Sequence, residues 1–160
     1  SYPLMKRFTY WPQLFLGITF NYGLILGWTS INQNISLAPI ILYFGAIFWT
    51  LGYDTIYGFQ DIKDDEIIGV KSTSIIFKKN PKLFLFICYT IFIICFFTIG
   101  IVMEFNNIFF ITLILPILHL FLYQIKFLKE KIPENCLKIF KSNNFFGLII
   151  YVNILTGKLF

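Results

Sequence analysis

No charged side chain interrupts the chain between Phe8 and Tyr53, and this constrains its possible folds more than any other feature. A soluble domain of this length would carry about a quarter charged residues. Here the charged share is 13%, hydrophobic residues make up 58%, and the mean hydropathy is +0.76. The chain therefore reads as an all-α, polytopic transmembrane helical bundle in a lipid bilayer.

Apolar runs of near the ~20 residues that a bilayer requires predict helices at about 12–30, 37–57, 83–103 and 108–125. A fifth runs from about Asn144 to the end and has to be short, tilted or truncated, because Lys158 closes its apolar stretch. The polar break Ile31-Asn32-Gln33-Asn34 separates the first two. Twelve of the thirteen basic residues fall before the first helix, between the second and third, or between the fourth and fifth, leaving only Lys158 at the other end. The positive-inside rule makes that side cytoplasmic. The net charge of +5 is thus mostly topology, and nucleic-acid binding is not expected.

Five of the eight acidic residues, Asp54, Asp61, Asp64, Asp65 and Glu66, lie within YDTIYGFQDIKDDEIIGVKST (53–73). Carboxylates beside a membrane span are costly to dehydrate and mark a functional site by default. On one continuous helix, Asp54, Tyr57, Asp61, Asp64 and Asp65 would share an arc of about 100°. Carboxylate oxygens facing a cavity suit Mg²⁺, which binds one or two carboxylates and takes other ligands from substrate phosphates. Lys71 would give a diphosphate a point-charge contact. Tyr57 would orient a carboxylate or turn its ring to a cation. The plainer alternative is a solvated loop whose acids balance its lysines.

The remaining features read as structural. Cys88, Cys95 and Cys136 have no metal-binding spacing and suit buried thiols. His119 suits a helix–helix hydrogen bond better than a substrate contact. Gly23 and Gly27 form a GxxxG pair that would permit close backbone approach, with general packing favoured over a dedicated dimer seam. Pro116 should kink the fourth helix. The excess of phenylalanine reads as lipid-facing bulk. After Pro133, Cys136, Leu137, Ile139 and Phe140 share one face of a short amphipathic interfacial helix.

The segment DTIYGFQDIKDDEIIGVKST resembles the second Asp-rich motif of the UbiA family of membrane prenyltransferases, in its 4-hydroxybenzoate polyprenyltransferase branch. The stretches YPLMKRFTYWPQLFLGITFNYGLILGW and CLKIFKSNNFFG are similar to that branch's entry into its fifth helix and to the segment before its last. The resemblance implies a nine-helix fold around a cavity, of which this chain would form the last five as one transmembrane domain, the C-terminal portion of a larger one. It implies Mg²⁺-dependent transfer of a polyprenyl group from polyprenyl diphosphate to the ring of 4-hydroxybenzoate, leading to ubiquinone. The implied location is a bacterial inner membrane or, alternatively, a mitochondrial one. Asp54, Asp61 and Asp64 would serve the metal and diphosphate, with Lys71 assisting. Lys6 and Arg7 would cap the cavity, Arg7 toward the acceptor carboxylate.

The family's first Asp-rich motif, N-D-x-x-D-x-x-x-D, does not occur here. On that reading this chain alone supplies half a site, which a separate N-terminal half would complete if the gene is split. The Ser1 start inclines toward a piece of a longer protein, with a split gene or a decayed gene as the other options. A non-enzymatic membrane subunit or an ion-handling transporter fragment is the rival function.

Overall fold

The computed structural model describes residues 2–159, with side chains from Leu4 onward. Their regular structure is all helical, with no strand among them. Helix α1 spans Tyr2–Phe8, α2 Pro12–Asn32 and α3 Leu37–Gly58. Two short helices follow, α4 (Ile62–Ile68) and α5 (Thr73–Ile76), and then α6 (Pro81–Val102). Next come α7 (Asn107–Thr112), α8 (Ile114–Ile117) and a π-helical segment, Leu118–Lys126. The chain closes with α9 (Pro133–Lys141) and α10 (Asn143–Leu159).

Four stretches are long and apolar enough to cross a membrane: Pro12–Asn32, Leu37–Gly58, Pro81–Val102 and Asn107–Lys126. They agree with the first four expected spans to within a few residues. Helix α10 has 17 residues, which at 1.5 Å each reaches about 25 Å against a hydrocarbon core of about 30 Å. It is the expected short fifth helix; Phe160 lies outside the described residues. Proline opens α2, α6 and α9 in the first turn, where its missing N–H removes no intrahelical bond. The polar break after α2 is a tight reversal with Gln33 in the left-handed region, φ 55°.

Helix α3 is the central element, packed against α2 on one side and α6 on the other. The α2–α3 approach is closest at Gly17, where a Cβ would sit 2.9 Å from the Ile47 carbonyl oxygen. Asn21 seals this seam by donating to Thr50 Oγ1 at 2.8 Å and the Ala46 carbonyl at 3.2 Å. The GxxxG pair does not serve it: Gly23 and Gly27 have open space where a Cβ would stand. The phenylalanines divide between two roles. Phe59, Phe84, Phe92, Phe96, Phe109 and Phe146 are buried in the core, while Phe20, Phe44, Phe86 and Phe97 face outward as lipid-facing bulk would.

The fourth span departs from a simple kink. Proline lacks the amide hydrogen and clashes with the carbonyl four residues back. Around Pro116 the α-helix breaks at Leu113, resumes for one turn, and then widens into the π segment. The widened stretch turns Gln124 fully inward. There Tyr89 Oη donates to Gln124 Oε1, Gln124 Nε2 donates to Asn143 Oδ1 at 2.9 Å, and Trp49 Nε1 donates to the same oxygen at 2.9 Å. Four elements (α3, α6, the π segment and α10) meet in this one network. His119 lies within 3.2 Å of Ser142 Oγ, the interhelical contact expected of it.

Helix α9 is the amphipathic segment anticipated after Pro133. Cys136 and Ile139 are buried, Leu137 and Phe140 are half-buried, and Lys138 and Lys141 point out. Burial, reinforced by nearby Glu130, pushes the Cys136 thiol up to about 11.

Two outcomes follow. Asn143→Leu should lower unfolding stability in detergent by about 2 kcal/mol, since it strands the Trp49 and Gln124 donors; an unchanged denaturation midpoint would show that the network contributes little. Cys136 should resist maleimide at pH 8, because its thiol stays protonated and covered, and should label once the protein is unfolded in SDS. Rapid labelling of the native protein would contradict that burial.

Candidate functional site at the basic end of the bundle

The acidic segment does not form one helix. Helix α3 ends at Gly58, the chain turns through Phe59–Asp61, and α4 begins at Ile62. The single-face arrangement of Asp54, Tyr57, Asp61, Asp64 and Asp65 is therefore corrected. The break has a local cause. Glycine is a poor helix former, and at Gly58 a Cβ would run into Ser74 Oγ. Helix α4 then ends on Gly69, whose φ of 77° favours glycine.

A hydrogen-bonded latch holds the returning strand of the loop to α3. Thr55 Oγ1 and Thr73 Oγ1 are 2.6 Å apart, and Ser74 Oγ donates to the Thr55 carbonyl at 2.8 Å. The Thr73 amide donates to Gln13 Oε1 at 3.1 Å, which brings in the start of α2. Gln13, Thr55, Ser72, Thr73 and Ser74 are all buried. The sequence reading passed over this set. Its only signals were a glutamine entering an apolar helix and the run of hydroxyls after Lys71.

The acidic residues occupy distinct settings. Asp54 sits on the penultimate turn of α3, only 8% exposed. Asp61 is half-buried and immediately precedes α4, while Asp64 is exposed in its first turn. Asp65 is 7% exposed and is held by Lys6 Nζ at 3.2 Å. Glu66 is exposed and paired with Lys78. Tyr57 is 38% exposed, with its ring centroid 4.8 Å from that of Phe140. Trp49, Tyr53 and Tyr57 recur every fourth residue along α3, so their rings run up one side of the helix beside Asp54.

The N-terminal segment closes over this loop. The Lys71 amide donates to the Lys6 carbonyl at 2.7 Å. Lys71 Nζ donates to the Phe8 carbonyl at 3.4 Å and lies 5.3 Å from the centre of the Tyr10 ring. Lys6, Lys71 and Asp65 are thus brought together, and Arg7 is exposed beside them. Asp54, Asp61 and Asp64 are linked by one turn of chain without converging. Among the described residues no three His, Cys, Asp or Glu side chains approach closely enough to enclose a metal ion. Hard carboxylate oxygens still fit Mg²⁺ chemically, because that ion is usually held by one or two carboxylates plus substrate phosphates rather than by an all-protein cage.

Known proteins resemble this chain along most of its length. The UbiA prenyltransferase family profile matches residues 1–150. A protein named mitochondrial 4-hydroxybenzoate polyprenyltransferase from Bos taurus is 41% identical over 160 residues, covering 99% of this chain and 43% of the relative. The Homo sapiens protein of that name is 40% identical with the same coverage, and the 4-hydroxybenzoate octaprenyltransferase of Pasteurella multocida is 36% identical over 99% of this chain and 54% of its own length. The chain thus spans about half the length of these relatives, in their C-terminal part. No solved structure matches. Matched along 150 residues and similar over nearly its whole length to proteins of that kind, the chain belongs to the UbiA prenyltransferase family.

Proposed function

We propose that this chain provides the C-terminal part of an Mg²⁺-dependent enzyme that transfers a polyprenyl group from polyprenyl diphosphate to 4-hydroxybenzoate on the way to ubiquinone, in a bacterial or mitochondrial inner membrane. The observation that carries this reading is the placement of Asp54, Asp61 and Asp64 around one turn at the basic end of an apolar bundle, in a chain so similar to enzymes named for that reaction. The N-terminal part that the relatives carry outside the matched region would complete the site.

Asp54, Asp61 and Asp64 would hold the metal, which when bound neutralises charge developing on the leaving diphosphate. Lys71, tethered to α1, supplies a positive charge at the same rim. Breaking the allylic C–O bond releases diphosphate and leaves a carbocation. The ring carbon ortho to the phenol attacks it, and loss of that carbon's proton restores aromaticity. Tyr57 presents a half-open ring where a cation would be stabilised by an aromatic face. Lys6 and Arg7 lie over the loop, with Arg7 exposed to meet the acceptor's carboxylate. The protein's chief contributions would be positioning and electrostatic support of the departing group.

The test uses the chain assembled with an N-terminal half, labelled polyprenyl diphosphate and 4-hydroxybenzoate. Mg²⁺-dependent labelled product is expected; its absence from a folded assembly would reject the enzyme in favour of an ion-handling or structural subunit. Asp54→Asn and Asp61→Asn should each reduce turnover on the order of a hundredfold or more, while Lys79→Ala and Lys82→Ala leave it nearly unchanged. Near-normal turnover in both aspartate variants would sink the assignment.

Lys6→Ala and Asp65→Asn should show a coupling of about 1 kcal/mol in a double-mutant stability cycle, as a partly covered ion pair requires. Additive effects would mean that the N-terminal segment is not held by this pair.

A further inference from the structure

A second feature of the basic end borders the aspartate-bearing turn but is not lined by the aspartates. A cleft of about 460 Å³ opens between the α3–α4 turn and the start of α9, lined by Phe59, Gln60, Ile62, Lys63, Lys78, Glu130, Lys131 and Pro133. That volume lies within the ~300–1,000 Å³ range of small-molecule sites. Its lining divides by chemistry: Phe59, Ile62 and Pro133 are apolar, and three lysines outnumber the single carboxylate. Lys78 is already paired with Glu66, whereas neither Lys63 nor Lys131 has an ion-pair partner among the described residues. Gln60 contributes a buried side-chain oxygen with no hydrogen-bond partner. A bound hydroxyl would satisfy it, or the carboxamide would turn to offer its NH₂ to an anion. The positive end of α9 begins at Pro133, on the same wall.

The cleft adjoins the end of an apolar span: Phe59 and Gln60 follow directly on α3, and the end of a span is where headgroups meet hydrocarbon. A soluble phosphate would use the lysines and leave the apolar residues bare, whereas a phospholipid uses both. Basic pockets between helices on this side of a membrane are suited to anionic headgroups. We propose that this cleft is a binding site for an anionic phospholipid. Lys63 and Lys131 would take the phosphate, Gln60 a headgroup hydroxyl, and Phe59, Ile62 and Pro133 the start of an acyl chain. This inference does not depend on the transferase reading.

The experiment measures lipid retention by native mass spectrometry on the chain assembled with its N-terminal half. The probes are phosphatidylglycerol, phosphatidylcholine and inorganic diphosphate. Phosphatidylglycerol should be retained over phosphatidylcholine, and Lys63→Gln/Lys131→Gln should weaken that retention about twentyfold. Lys79→Gln/Lys82→Gln, which removes equal charge from the same end of the bundle outside the cleft, should change it less than threefold, and Lys63→Arg/Lys131→Arg should preserve it. Should the glutamine pair fail to insert, the wild-type protein decides: retention has to fall between 50 and 500 mM NaCl. Equal retention of phosphatidylcholine, equal losses from the two glutamine pairs, or salt-independent retention would overturn the proposal. Displacement of phosphatidylglycerol by inorganic diphosphate would identify a soluble-anion site and overturn it as well.

Discussion

Asn143 Oδ1 accepts hydrogen bonds from both Trp49 and Gln124, and most of the bundle's geometry depends on that double contact. A buried donor left without a partner is costly, so groups as fully covered as Gln124 have to find theirs within the protein. Trp49 fixes the rotation of α3, Gln124 that of the π segment, and Tyr89 ties α6 to the same point through Gln124. Asn143 is itself anchored, donating to the Phe140 carbonyl at 2.9 Å across the α9–α10 junction. Apolar packing alone specifies helix rotation weakly, because lipid tails are as apolar as leucine. The buried amides supply the specificity that the phenylalanine core lacks.

The same logic applies one level closer to the basic end. Here Thr55, Thr73, Ser74 and Gln13 convert a loop into a fixed platform. The aspartates stand on that platform: Asp54 on the helix it binds, Asp61 and Asp64 on the excursion it closes. Lys6 and Asp65 then bring the N-terminal segment down over it. Exposed Asp64 thus stands on an excursion whose base is fixed by the buried hydroxyl latch.

Much of this was legible in the sequence, because membrane spans depend on composition over about twenty residues and little else. The lysine distribution, the short last helix and the amphipathic face of α9 were readable for the same reason: each is a local property. The break between α3 and α4 was not. Gly58 is unremarkable among glycines inside apolar helices until Ser74 is seen against it. The Lys6–Asp65 pair joins residues 59 positions apart, and nothing near either names the other. The GxxxG pair is a permissive pattern that names no partner; Gly17 is the glycine that α3 meets. For the aspartates, their proximity in sequence was evident, but their separation by a turn was not.

The π-helical segment makes chain length itself a constraint. Each wide turn takes up one more residue than an α-turn would, so Leu118–Lys126 stores extra residues that an ordinary helix would have to expel. Losing a single residue between Pro116 and Gln124 would shift the angular phase of everything that follows by about 100°. The carboxamide of Gln124 would then swing away from Tyr89 toward the acyl chains. Substitutions in this stretch are forgiving wherever one apolar side chain replaces another on the lipid face; an indel is not. Drift in this part of the family should therefore show itself in letters rather than in spacing.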